Sequence, residues 1–421
     1  MTKSPMNPRC SRILSALAIA TVGAFAPVIL ADQTMLADET GLPQTVSPQQ
    51  APPKTKSSGK TSPMEHLTPV QRSDAIEHAE VWAPTSVPSM DLRAGPQDKG
   101  SYAPFATVPC DYVFMKPYGG SPKFECALAP GDQVKVKYGK DNVEVFAEVA
   151  ASRLMWALGF GSDRWYPVTV VCHGCPPDPF HDQAKRLDSV TFDIAALERK
   201  MPGKIMETKP DEGWAWKELD QVDPSAGPDL KTHRDALKLL AVFLQHTDSK
   251  AEQQRLICLP DADAKGEADA KGKASVKGEA GAKGNSGVKG EAGAMGPDGP
   301  CARPFMFIHD SGLTFGRANL LNTNQEGGAN YERWAAVPIW KDSKRCVGKL
   351  SGSLTGTLTD PVISEAGRKF LADLLVQLTD SQLHDMFEVG RFDRRSNVPI
   401  DAWVDLFKKK RQEIVSVTCP A

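Results

Sequence analysis

The chain has 421 residues, with 50 Lys+Arg against 52 Asp+Glu and a formal net charge of -2; 41% is hydrophobic and 7% aromatic. That balance excludes the whole-chain basic excess of a nucleic-acid binder and the acidic excess of a solvated charge brush. The length allows two or three domains around a sizeable core, but 34 Gly and 33 Pro imply that part of the chain lies outside it.

Lys3, Arg9 and Arg12 precede an uncharged run over 13–30 and a small residue, Ala31. Basic residues before an apolar stretch are the pattern of a secretory signal. Residues 1–31 are therefore expected to be a signal peptide, and the protein secreted, periplasmic or otherwise extracytoplasmic. A retained N-terminal anchor is the alternative, because the run approaches spanning length; no other segment reads as a membrane span. Eight cysteines remain beyond the signal: Cys110, Cys126, Cys172, Cys175, Cys258, Cys301, Cys346 and Cys419. An even number in an exported chain suggests disulfides, with the connectivity open. Cys172-His173-Gly174-Cys175 has the spacing of a zinc or redox pair, but no matching second pair stands nearby in sequence. A disulfide is the favoured reading there.

Residues 32–100 hold nine prolines among scattered Ser, Thr, Gln and Lys, with little apolar periodicity. Such a stretch buries too little surface to offset its ordering entropy, so a disordered tether is expected. Gly59-Lys60-Thr61 mimics the end of a phosphate loop, but the first glycine of that motif would fall at Lys54. Beyond 101 the texture changes. Tyr112-Val113-Phe114-Met115 and the alternating Val134-Lys135-Val136-Lys137-Tyr138 read as strands, with Gly119-Gly120-Ser121 as a turn between them. Apolar residues at helical spacing over 143–158 end at Gly159, a plausible residue just past a helix C-terminus. Residues 165–171 form a further strand. After Gly203 the pattern is mostly helical, at 234–246, after a Ser364 cap, at 381–388 and at 401–414. Trp214 and Trp216 are expected to pack in that helical part.

One segment departs from this texture. Glycine recurs every third residue from 278 to 299 within a low-complexity insertion over 261–300. Gly-x-y register is the collagen signature, yet Pro297 and Pro300 are nearly its only imino acids. The strand-like stretches on either side, 255–258 and 304–308, look adjacent, so the insertion should leave and return at one place. A rod cannot do that. A hydrophilic loop with Cys258 and Cys301 at its neck is favoured, and collagen-like trimerisation is disfavoured.

The chemistry-bearing residues flank that insertion. His246-Thr247-Asp248-Ser249-Lys250-Ala251-Glu252-Gln253 resembles the protein-kinase catalytic loop, H-R-D-x-K-x-x-N, with Gln253 where the family has Asn. Asp310-Ser311-Gly312 resembles D-F-G, and removing the insertion brings the two aspartates close to ordinary kinase spacing. Upstream, Lys137 ends a strand and Glu148 lies on the next helix, the arrangement of the lysine–glutamate pair that holds nucleotide phosphates. Lys135 and Glu144 are reserve candidates for the same pair. The stretch 142–151, ending Leu158-Gly159-Phe160, resembles the corresponding helix of atypical secretory-pathway kinases of the Golgi casein-kinase type. It is also similar to HipA-like kinases and the phosphatidylinositol-kinase-like superfamily.

The resemblance implies an α+β, bilobal protein-kinase-like fold. A small strand-rich N-lobe would span 101–202, and a larger mostly helical C-lobe 203–421, interrupted by the insertion. It further implies catalytic Asp248 and Lys250, nucleotide-binding Lys137 and Glu148, and a metal held by Asp310 and Gln253. The cofactors would be ATP, or another nucleoside triphosphate, with Mg or Mn; the acceptor would be a protein or small-molecule hydroxyl. The alternatives are a catalytically inactive pseudokinase-type binding module at the cell envelope and a collagen-like adhesion or stalk protein. The family's A-P-E motif and full glycine-rich loop are absent from the sequence.

Overall fold

The computed structural model describes residues 64–260, 301–316, 327–350 and 356–420. The expected signal, residues 32–63 of the expected tether and the insertion at 261–300 lie outside the described residues. The described chain is α+β.

Five strands close into a barrel in the order β2-β3-β4-β6-β5. They are β2 (Thr107–Val113), β3 (Lys123–Ala129), β4 (Asp132–Tyr138), β5 (Arg164–His173) and β6 (Ser189–Arg199). Alternation fills the interior: Val108 and Cys110, Phe124 and Cys126, Val134 and Val136, and Tyr166, Val168, Val170 and Cys172 form one buried cluster. The strand read at 112–115 in fact begins at Thr107, and β3 and β6 complete a barrel that the local pattern did not disclose. Pro109 disguised β2. It lies where β2 pairs in parallel with β5 and before pairing with β3 starts at Asp111, a position that tolerates a missing N–H. Helix α2 (Glu144–Ala157) packs on β5 and closes at Gly159, whose φ of 85° suits a residue without a side chain.

A second sheet has the order β1-β7-β8-β9: β1 (Met64–His66), β7 (Lys204–Glu207), β8 (Gln254–Cys258) and β9 (Pro304–Ile308). Strands β8 and β9 are antiparallel neighbours with Cys258 opposite Pro304, so the insertion leaves and returns at one place. A Cys258–Cys301 disulfide joins its two ends. Helix α1 (Pro69–His78) packs on β9, and α3 (Pro228–Leu244) follows β7 in the chain. The chain then forms α4 (Tyr331–Ala336), the short strands β10 (Trp340–Asp342) and β11 (Val347–Gly348), and α5 (Glu365–Leu375), α6 (Asp380–Val389), α7 (Phe392–Ser396) and α8 (Ile400–Val415). Ser364 does cap α5, its hydroxyl accepting from Gly367 N at 3.2 Å. Trp214 and Trp216 are buried, and Cys346–Cys419 ties the last residues to β11. No helix among the described residues is long and apolar enough to cross a membrane.

The tether reading fails over 64–100. Thr68 and Gln71 form a capping box, with Pro69 in the first turn of α1. Ile76, Val81, Val87 and Leu92 are fully buried in the main core. Ile76 lies in α1, Val81 in extended chain, Val87 in a single 3₁₀ turn and Leu92 in a turn, so no one periodicity runs through them. Arg234 of α3, itself buried, donates to Ile76 O at 2.6 Å, Ala79 O at 2.8 Å and Gln221 O at 2.7 Å. Trp82 Nε1 donates to Leu158 O at 2.7 Å, at the end of α2. Residues 64–100 are a strap across the folded unit, not a leash to it.

A chain beginning at residue 101 is therefore expected to melt well below one beginning at 64. Arg234→Ala, which strands buried carbonyls, should cost about 3 kcal/mol. Thermal melting checks the first, and the denaturant midpoint at unchanged slope checks the second.

Candidate active site

The site begins with strand alternation. In β4, Val134 and Val136 point into the barrel, so Lys135 and Lys137 stand on the opposite face. Glu144 and Glu148 are one turn apart on α2 and share a face. Lys137 Nζ lies 2.8 Å from Glu148 Oε1, donates to Glu144, and is 3.7 Å from Asp310 Oδ2. The Trp165 ring centroid is 5.0 Å from the same ammonium. Lys137 is 1% exposed and Glu148 fully buried. Burial opposes the lysine's charge, but Asp310, Glu144 and Glu148 together raise its pKa well above the ordinary lysine value. Lys135 goes elsewhere, to Glu198 Oε1 at 3.0 Å. The Ser121 hydroxyl donates to Glu144, so the Gly119-Gly120-Ser121 turn is fastened to α2.

The other half hangs on the β8–β9 pair. Helix α3 ends at Leu244, and Gln245, at φ 55°, turns the chain into the 246–253 loop. Gln254 pairs with Ile308; one residue further out, Gln253 O accepts from His309 N at 2.9 Å and Asp310 N at 3.1 Å. The backbone thus joins the loop directly to Asp310. Gln253 Nε2 donates to Asp248 Oδ2 at 2.7 Å, and Lys250 Nζ lies 3.5 Å from Asp248 Oδ1. Burial raises the Asp248 pKa above the carboxylate norm; Lys250 opposes this and Asp310 adds to it. Ser249 braces the loop from behind: its backbone oxygen accepts from Thr357 N at 3.0 Å, and its hydroxyl from Leu358 N at 3.1 Å.

Carboxylate oxygens of Glu144, Glu148 and Asp310 lie within 4.8 Å of one another. Three acids around one ammonium leave an excess of negative charge in a buried place. Glu148 Oε2 is buried without a hydrogen-bond partner. An all-oxygen donor set with an orphaned carboxylate oxygen fits a hard divalent cation such as Mg or Mn. Burial pushes Glu148 well above the usual carboxylate range, with Lys137 opposing. Asp310 goes the other way: burial resists ionisation, but Lys137 and the Gly312 N–H, 3.1 Å from Oδ1, hold its carboxyl well below that range.

All six sequence-derived candidates fall in these two groups: Lys137, Glu148 and Asp310 in one, Asp248, Lys250 and Gln253 in the other. Sequence reading missed the brace beside them. Asp163 Oδ2 lies 2.6 Å from His309 Nδ1, and its Oδ1 accepts from Met201 N at 2.7 Å. Lys200 spans Asp163 at 3.2 Å and Glu198 at 2.7 Å. His309, adjacent to Asp310, was a readable signal; Asp163 offered none.

No family model and no curated protein matches the chain. Among solved structures, a Helicobacter pylori proinflammatory kinase, CtkA, is similar at 11% identity, over 74% of this chain and 95% of that one, with a TM-score of 0.33. At that TM-score the likeness is slight.

Because burial raises the Glu148 carboxyl, protons compete there with a bound cation. Affinity for Mn is therefore expected to fall as pH drops, with net proton release on binding. Titration calorimetry in buffers of different ionisation heat measures the release. Glu148→Gln should abolish it and weaken binding.

Proposed function

We propose that the protein is an exported kinase-like phosphotransferase, moving a phosphoryl group from a Mg- or Mn-bound nucleoside triphosphate, ATP in the first instance, to a protein or small-molecule hydroxyl. One observation carries the reading. Lys137, paired with Glu148, stands 3.7 Å from Asp310, and the backbone of Gln253 links Asp310 to the Asp248–Lys250 loop. Strand lysine, helix glutamate, metal aspartate and catalytic loop are the parts that phosphoryl transfer requires together. In this reading the barrel with α2 is the smaller lobe, and the second sheet with the remaining helices is the larger.

Each residue then has a task. Lys137 contacts the nucleotide phosphates and is kept in place by Glu148. Asp310 and the α2 carboxylates would hold the cation, with Gln253 as a further oxygen donor, and the cation would supply charge neutralisation at the phosphates. Asp248 orients the acceptor hydroxyl and takes its proton, a role that its raised pKa suits. Lys250 offsets charge on the transferred group. Export is supported by the apolar N-terminal run and by cysteine pairs at bonding distance, which are compatible with an extracellular setting. A silent binding module is the second reading. Gln253 favours it, since its amide occupies Oδ2 of Asp248 at 2.7 Å, one of the two oxygens a base could use.

Turnover is read from loss of the terminal phosphate of labelled nucleotide. Asp248→Asn is expected to lower kcat by about 10²- to 10⁴-fold while sparing nucleotide binding. Asp310→Asn should remove the metal-dependent part of binding. In the wild-type protein, activity should fall on the acid side as Asp248 takes up its proton, at a pH higher than for an ordinary aspartate. Nucleotide binding without turnover would identify the silent module.

A further inference from the structure

The barrel interior holds four cysteines that play no part in phosphoryl transfer. Cys110 on β2, Cys126 on β3 and Cys172 on β5 point inward; Cys175 follows the end of β5. Strand β2 pairs with both neighbours, setting Cys110 opposite Cys172 and Tyr112 opposite Cys126. Three of the sulfurs therefore converge, and Cys175 reaches them through its bond to Cys172. Cys110, Cys126 and Cys172 sulfurs lie within 4.8 Å of one another, and none of the four residues is more than 5% exposed. Two disulfides join them, Cys110–Cys126 and Cys172–Cys175, each with a Cα separation of 5.7 Å. Between the two bridges, Cys126 Sγ and Cys172 Sγ are 3.8 Å apart.

That last separation has a second meaning. Four thiolates at about 2.3 Å from a tetrahedral zinc ion lie about 3.8 Å from one another. Cys172 and Cys175 have the C-x-x-C spacing of a zinc knuckle, and Gly174, at φ 64°, makes the turn that folds one sulfur back towards the other. The second pair, which is distant in sequence, is delivered by the barrel register.

We propose that Cys110, Cys126, Cys172 and Cys175 form a zinc-binding site that is filled when the two disulfides are reduced. Each disulfide accepts two electrons and two protons from a dithiol, which leaves as its own cyclic disulfide. The four thiols then give up four protons as their sulfurs close on one Zn²⁺. The barrel that carries Lys137 is thereby pinned by disulfides in an oxidising compartment and by zinc in a reducing one. This inference is independent of the phosphotransfer reading.

The full chain is reduced with a dithiol, desalted without oxygen, exposed to zinc and washed, and its metal content measured, with circular dichroism reporting the fold. About one tightly held zinc per chain is expected. Cobalt in place of zinc should give the visible bands of a tetrahedral thiolate site. Cys126→Ser and Cys172→Ser should lose that spectrum, whereas Cys258→Ser with Cys301→Ser, and Cys346→Ser with Cys419→Ser, should keep it. A reduced chain that retains no zinc overturns the proposal, whether it stays folded or unfolds beyond rescue by zinc. So does metal uptake unchanged in the Cys126→Ser, Cys172→Ser double variant.

Discussion

A single buried ammonium organises the site. Lys137 faces Glu144, Glu148 and Asp310, groups contributed by a helix and the segment after β9, while the lysine itself comes from a strand. A buried ion pair gives little net stability, but removing one partner costs about 3–5 kcal/mol, because a charge is left without compensation. The arrangement is therefore better understood as registration than as glue. It sets barrel, helix and β8–β9 hairpin against one another, and it concentrates negative charge where a cation would relieve it.

The surroundings follow from that constraint. The hairpin must present Asp310 and the 246–253 loop together, and the backbone bonds from Gln253 do so regardless of what fills the long connection between its strands. The Asp163–His309–Lys200 brace pins the residue next to Asp310 to the barrel side. Thr357 and Leu358 hold Ser249 by backbone hydrogen bonds. The strap formed by residues 64–100 fastens α1 to α3 through Arg234 and reaches the end of α2 through Trp82.

Local pattern disclosed α2, α3, α5, α6 and α8, because each has an amphipathic face or a cap, with boundaries displaced by a few residues where Pro228 or a fraying end intervened. The candidate residues were legible because their order and spacing survive an intervening insertion. What stayed hidden depends on tertiary placement. Strand β2 was obscured by Pro109, and the strap was misread because Ile76, Val81 and Leu92 belong to three different local conformations that no single periodicity joins. Asp163 becomes meaningful only beside His309. The second cysteine pair for Cys172 and Cys175 was likewise invisible until β2 lay between β3 and β5.

The claim that Lys137, Glu148 and Asp310 form a metal–nucleotide site is tested most directly by thermal unfolding of the full chain with ATP, with Mg or Mn, and with both. A rise in Tm that requires nucleotide and metal together, and that disappears in Asp310→Ala, is the expected result. No shift with any magnesium or manganese nucleoside triphosphate would contradict it.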